Sequence, residues 1–165
     1  MAANRLPPDF REFLKLLHGA RVEYLLVGGY AVGYYGYPCA TMDMDVWIAM
    51  HPDNAAKVSE VMRRFGFPAD SVPPEIFLRK GEMVRLGVAP VRLEILTELS
   101  GVAFRDCWRR RRRVRLDGIV VNLIGLTDLR RNKRASGRHK DLDDLSHLPR
   151  RLASLPCYSR PCVYQ

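Results

Sequence analysis

The stretch VGGYAVGYYGYPCATMDMDVWI, Val27 to Ile48, places two aspartates, Asp43 and Asp45, inside an otherwise apolar run. Residues two apart on a strand project to one side, so Asp43 and Asp45 stand about 6.6 Å apart along the chain, with Trp47 on the same face. Met44, Val46 and Ile48 form the other face. Two carboxylates held in this way repel, and each raises the other's proton affinity unless a cation sits between them. The pattern predicts a metal-binding strand or, read blandly, an edge strand whose outer face is wet and acidic.

Gly28 and Gly29 shift that balance. They follow VEYLLV, an apolar run that reads as a buried strand, and they open a segment of small and aromatic residues that reads as a helix up to Tyr37, ended by Pro38. Glycines at a strand-to-helix turn let a phosphate approach backbone N–H groups closely. A tight turn alone would also select glycine, but two acids on the next strand make the pair a phosphate signal. Hard oxygen ligands suit Mg²⁺, with Mn²⁺ as a substitute. A third carboxylate, Glu94 in VRLEILTE, completes a site for two ions about 4 Å apart if its strand lies beside the aspartates.

The remaining pattern sets the fold class. Phe10, Phe13, Leu14 and Leu17 repeat at helical spacing over Asp9 to His18, and Ala55, Val58, Val61, Met62 and Phe65 share a helical face. EMVRLGV and VRLEILTE read as strands, and VRLDGIVVNLI as a strand or hairpin turning at Asp117-Gly118. A short helix near Ala103 to Trp108 and two helices around Leu126 to Ala135 and Arg138 to Leu148 complete the order. This interleaving predicts an α+β fold: a small mixed β-sheet with flanking helices, in one domain over residues 1–150 with a loose tail over residues 151–165. The length of 165 residues suits a single domain.

Charge is unevenly spread. Residues 1–104 carry 11 Lys/Arg and 12 Asp/Glu, whereas residues 105–165 carry 16 and 6. The second half expects an anion, or simply presents a solvated basic face. In CWRRRRRVRL, Arg109, Arg110, Arg111, Arg112 and Arg113 follow a tryptophan, a combination that holds RNA through phosphates and stacking, or else marks a solvated helix end running into a strand. Tyr30, Tyr34, Tyr35 and Tyr37 stack on a base or pack the core. Cys39, Cys107, Cys157 and Cys162 show no paired spacing, the four histidines show no metal spacing, and no apolar run reaches membrane-span length. The chain reads as a cytoplasmic protein with reduced thiols and no membrane partner.

These residues resemble a known signature. An apolar residue, Gly-Gly, an interval of some ten to fifteen residues and then Asp-x-Asp between apolar positions is similar to the motif of the DNA-polymerase-β-like nucleotidyltransferase superfamily. More narrowly, GGYAVGYYGYPCATMDMDVWI resembles the minimal nucleotidyltransferases related to AbiEii-type toxins, and LTDLRRNKRASGRHKDLDDLSHL is similar to that group's closing segment. The likeness runs from about Val22 to Leu148. It implies the polymerase-β-like fold, Gly28 and Gly29 as the triphosphate-facing turn, and Asp43 and Asp45 as metal ligands. It also makes Glu94 the third carboxylate, which helps activate the acceptor hydroxyl. Lys133 would neutralise the triphosphate, Asp141 and Asp144 would brace the closing helices, and Thr41 would orient the metal strand or contact phosphate. Cys39 stands where that group usually has an arginine.

The implied activity is Mg²⁺-dependent transfer of a nucleoside monophosphate from a nucleoside triphosphate such as ATP to an acceptor hydroxyl. The basic second half favours an RNA 3′ end such as that of tRNA, with a protein or small molecule as the other acceptors, and the toxin likeness adds an antitoxin protein as partner. Two other readings stay open: a catalytically quiet member that binds RNA or protein, and a plain RNA-binding domain, which leaves the two acids on one strand without a purpose.

Overall fold

A computed structural model describes residues 6–37, 41, 43–88 and 91–152. Pro38, Cys39, Cys157, Cys162 and most of the expected tail lie outside the described residues. Helix α1 spans Pro8–Gly19 and buries Phe10, Phe13, Leu14 and Leu17, the stripe its spacing dictates. Strand β1 (Tyr24–Val27) leads without a loop into the short helix α2 (Gly28–Tyr34), and β2 follows at Asp43–Ile48. In helix α3 (Pro52–Phe65), the His51 ring accepts the Asn54 N–H at the first turn, and Gly66 closes the last turn at φ 112°.

The Pro-containing segment after α3 forms two short 3₁₀ turns, Ala69–Ser71 and Pro74–Leu78. Strands β3 (Met83–Leu86) and β4 (Arg92–Leu96), helix α4 (Phe104–Arg109), the hairpin strands β5 (Arg112–Leu116) and β6 (Ile119–Leu123), and helices α5 (Leu126–Ser136) and α6 (His139–His147) complete the order. Asp117 and Gly118, at φ 48° and 79°, give the hairpin its left-handed two-residue turn. Helix α2 ends three residues short of Tyr37, because the chain turns at Tyr35 and Gly36, the latter at φ 102°.

The six strands form one sheet in the order β3-β4-β2-β1-β6-β5. β1 pairs antiparallel with β2 and parallel with β6, while β2 and β4 run parallel although β3 lies between them in sequence. The expected α+β fold with a mixed sheet and flanking helices is therefore present. Leu25, Leu26, Met44, Val46, Ile95, Val121 and Leu123 bury its centre. Trp47 meets Phe104 edge-on, with ring centroids 5.0 Å apart, which sets α4 against the face that also carries the two aspartates. Among the described residues, no helix is long and apolar enough to cross a membrane.

Candidate active site

The register of the central strands assembles the acids. Because β2 and β4 are parallel, Asp43 lies opposite Arg92 and Asp45 opposite Glu94, and opposite residues share a face. On the other side Val27, the last residue of β1, pairs with Asp45, so the glycine turn arrives directly over that carboxylate. Gly28 sits at φ 62°, and a β-carbon there would fall 2.0 Å from Asp45 Oδ2. Any side chain at position 28 would occupy the space Asp45 uses. Gly29 makes a similar approach to Thr41, whose side chain a β-carbon would meet at 2.7 Å, and the Thr41 hydroxyl donates to the Asp43 carbonyl at 3.0 Å. Thr41 thus ties the entry of β2 to the glycine turn.

Burial, a hydrogen bond shared with Glu94 and the negative charges of Glu94 and Asp43 push the Asp45 carboxyl up to about 7, with Lys133 pulling in the other direction. Two arginines answer the other acids. Arg92 donates to both Asp43 oxygens, at 2.8 and 3.4 Å, and Arg85, opposite Glu94 on β3, donates to Glu94 Oε1 at 2.7 Å. Among the described residues, no group of three or more His, Cys, Asp or Glu side chains is drawn close enough together to hold a metal ion by itself. Asp43 and Glu94 are instead engaged by their arginines. The donor chemistry is nonetheless that of a hard divalent cation: Asp43, Asp45 and Glu94 offer only carboxylate oxygens, and burial together with the charges of Glu94 and Asp43 holds Asp45 where its bare negative charge is disfavoured.

Helices α5 and α6 bring cations to the same end of the sheet. Lys133 is 5% exposed, and its ammonium donates to Asp141 at 2.6 Å and Asp144 at 2.8 Å, joining α5 to α6. Burial pushes the Lys133 ammonium down, but these two carboxylates more than restore it, so its net shift is upward. Ser136 and Arg138 also donate to Asp141, both at 2.6 Å. Arg138 feels the charges of both Asp45 and Glu94, yet its side chain is mostly exposed. Asp141 and Asp144 therefore link the last two helices through Lys133. Arg138 is a third solvent-facing cation near the acids, beside Arg85 and Arg92.

The arginine run divides. Arg110 grips the buried Asp128 with two bonds, at 3.0 and 2.9 Å. Arg111 lies over Trp108, 3.8 Å from the ring centre, and donates to the Trp108 carbonyl. Arg112 and Arg113 are in β5, and Arg109 is exposed at the end of α4. Of the tyrosines, Tyr35 is buried and donates to the Ile124 carbonyl at 2.7 Å, Tyr30 packs edge-on against Phe10, and Tyr37 stacks on His147.

Arg85, Arg92 and Arg138 were not singled out by the sequence reading. The available signal was Arg92 standing two residues before Glu94 in VRLEIL, which puts both on one strand face.

This arrangement of strands and helices is a nucleotidyltransferase fold. The chain is similar to a crystal structure from Thermotoga maritima described as "a putative nucleotidyltransferase", with a TM-score of 0.58 and 15% identity over 87% of this chain and 94% of that one. At that identity the likeness is one of fold. No protein-family model and no curated protein matches the sequence.

Proposed function

We propose that this protein transfers a nucleoside monophosphate from a nucleoside triphosphate to an acceptor hydroxyl and releases pyrophosphate. The observation that carries the reading is the contact of Asp45 with Gly28: a carboxylate that favours a cation lies against a side-chain-free turn, with Glu94 beside it in register. Two Mg²⁺ ions, or Mn²⁺ in their place, would neutralise charge on the attacking and leaving oxygens.

Asp43, Asp45 and Glu94 are the residues to hold them, once Arg92 and Arg85 yield. Glu94 also receives the proton of the acceptor hydroxyl as its oxygen bonds to the α-phosphorus and the bond to pyrophosphate breaks. Gly28 and Gly29 admit the phosphates beside Asp45. Arg138, exposed and within the field of the acids, steadies the triphosphate, while Lys133 orients α5 and α6 through Asp141 and Asp144. The basic balance of the second half supports an RNA 3′ end, such as that of tRNA, as acceptor. A toxin role with an antitoxin partner rests on the sequence resemblance.

The test is incubation of the purified protein with Mg²⁺, each α-labelled nucleoside triphosphate in turn, and total RNA. Labelled RNA from the native protein and none from Asp45→Ala is the expected result. A folded protein that labels nothing would overturn the reading. That outcome would favour the second one, a catalytically quiet binding module, for which the observation is that Asp43 and Glu94 already have arginine counter-ions.

A further inference from the structure

We propose a second binding site, at the end of the sheet away from the glycine turn, that takes a nucleotide unit: an aromatic base with its phosphate. A cavity of about 840 Å³ opens there, lined by Trp47, Phe104, Trp108, Arg105, Arg109 and Lys80 among others. Asp43 begins β2 and Trp47 lies four residues on, about 13 Å along the strand, so the cavity is separate from the carboxylates. Its volume falls within the usual range for small-molecule sites, roughly 300–1,000 Å³.

Two features define the occupant. The first is an aromatic wall: Phe104 meets Trp47 edge-on and lies nearly parallel to Trp108, with centroids 5.8 Å apart. Such walls hold bases without regard to sequence.

The second is surplus positive charge. Glu98 is paired with Lys80 at 3.5 Å, and Glu23, hydrogen-bonded to His51 at 3.0 Å, is the one acid left to set against two arginines. Arg105 and Arg109, one turn apart on α4 with Trp108 on the same helical face, have no ion-pair partner among the described residues. Two guanidinium groups at that spacing match a phosphate.

A hydrophobic peptide would leave both arginines unanswered, and a simple anion would leave the aromatic wall unused.

The site reports on itself, because the chain has two tryptophans and both line the cavity. Titration of the full chain, without divalent metal, with adenosine monophosphate and separately with a short oligoadenylate should quench the indole fluorescence. The Arg105→Ala/Arg109→Ala double variant should weaken binding at least tenfold, while Asp45→Asn should bind as the native protein does. Quenching by both ligands or by the mononucleotide alone supports a free nucleotide as the source, and quenching by the oligomer alone supports a nucleotide within a strand. No quenching by either at millimolar ligand overturns the proposal. So does quenching that survives the arginine replacements or disappears in Asp45→Asn. The site does not depend on nucleotidyl transfer, and the Asp45→Asn arm keeps failure of one separate from failure of the other.

Discussion

Arg92 holds Asp43 across the parallel β2–β4 pair with two hydrogen bonds, so the first carboxylate of the acidic strand carries its own counter-ion. A divalent cation at Asp43 and Asp45 must compete with that guanidinium.

Arg92→Ala should therefore bind Mn²⁺ several-fold more tightly than the native protein, read by calorimetric titration. Without metal the variant should be slightly less stable, by about 0.5–1 kcal/mol, because the pair is partly exposed and its loss leaves neighbouring acids less neutralised. Weaker Mn²⁺ binding would show that Arg92 supports the cation rather than displaces it.

Gly28→Ala should destabilise in two separable ways. The left-handed backbone at φ 62° costs about 1 kcal/mol with any β-carbon. Overlap with Asp45 Oδ2 adds a displacement of that carboxylate, for a total above about 2 kcal/mol. In an Asp45→Ala background only the smaller cost should remain. Denaturant unfolding of the four proteins measures the coupling, and additive effects would mean that the turn moves away without disturbing Asp45.

The pH dependence of stability follows from two carboxyls shifted in opposite directions. Asp45 lies up at about 7 against an ordinary 3.8, so the folded state binds this proton more tightly than the unfolded chain. Its contribution is full below pH 4 and is lost as pH rises through 7, on the order of a few kcal/mol. Burial pushes Asp141 up, but hydrogen bonds from Lys133, Ser136 and Arg138 outweigh it and hold the group down to about 2. The stability Asp141 supplies is present above pH 4 and lost as pH falls towards 2. Unfolding measured across pH without metal should show stability declining between pH 4 and 7, and Asp45→Asn should flatten that decline. An unchanged slope in the variant would remove Asp45 as its source.

Lys133→Met should cost about 3–5 kcal/mol, since it strands Asp144 in the interior and takes one of the two cations from Asp141, which keeps Ser136 and Arg138. The pH-dependent decline assigned to Asp45 should also move to higher pH, because the charge of Lys133 draws that group down. Loss of nucleotide affinity with unchanged melting temperature would instead return Lys133 to direct triphosphate contact.

The division of Asp43, Asp45 and Trp47 from Met44, Val46 and Ile48 was legible in the sequence, because strand alternation depends only on neighbouring residues. The helical stripes of α1 and α3 and the Asp117-Gly118 turn were legible for the same reason. The partners of the charged residues were not. Glu94 meets Asp45 only because β2 and β4 pair around an intervening β3. Arg110 finds Asp128 eighteen residues on, across a hairpin. A run of five arginines looks uniform in one dimension, and the fold spends two of its members on Asp128 and the Trp108 ring. The burial of Lys133, which the resemblance sets against the triphosphate, was likewise not legible, because Asp141 and Asp144 reach it only when α6 folds back onto α5.

The arginine partners of the acids also decide what the sheet carries by itself. Asp43 and Asp45 stand in β2, Arg85 in β3, and Arg92 and Glu94 in β4, whereas Lys133 and Arg138 come from α5 and the turn into α6. The counter-charges of Asp43 and Glu94 therefore arrive across the hydrogen-bonded ladder itself. A shift of the two closing helices would take Lys133 and Arg138 with it and leave Arg85 and Arg92 where they are, so the neutralisation of Asp43 and Glu94 is built into the sheet and only the rest depends on the helices.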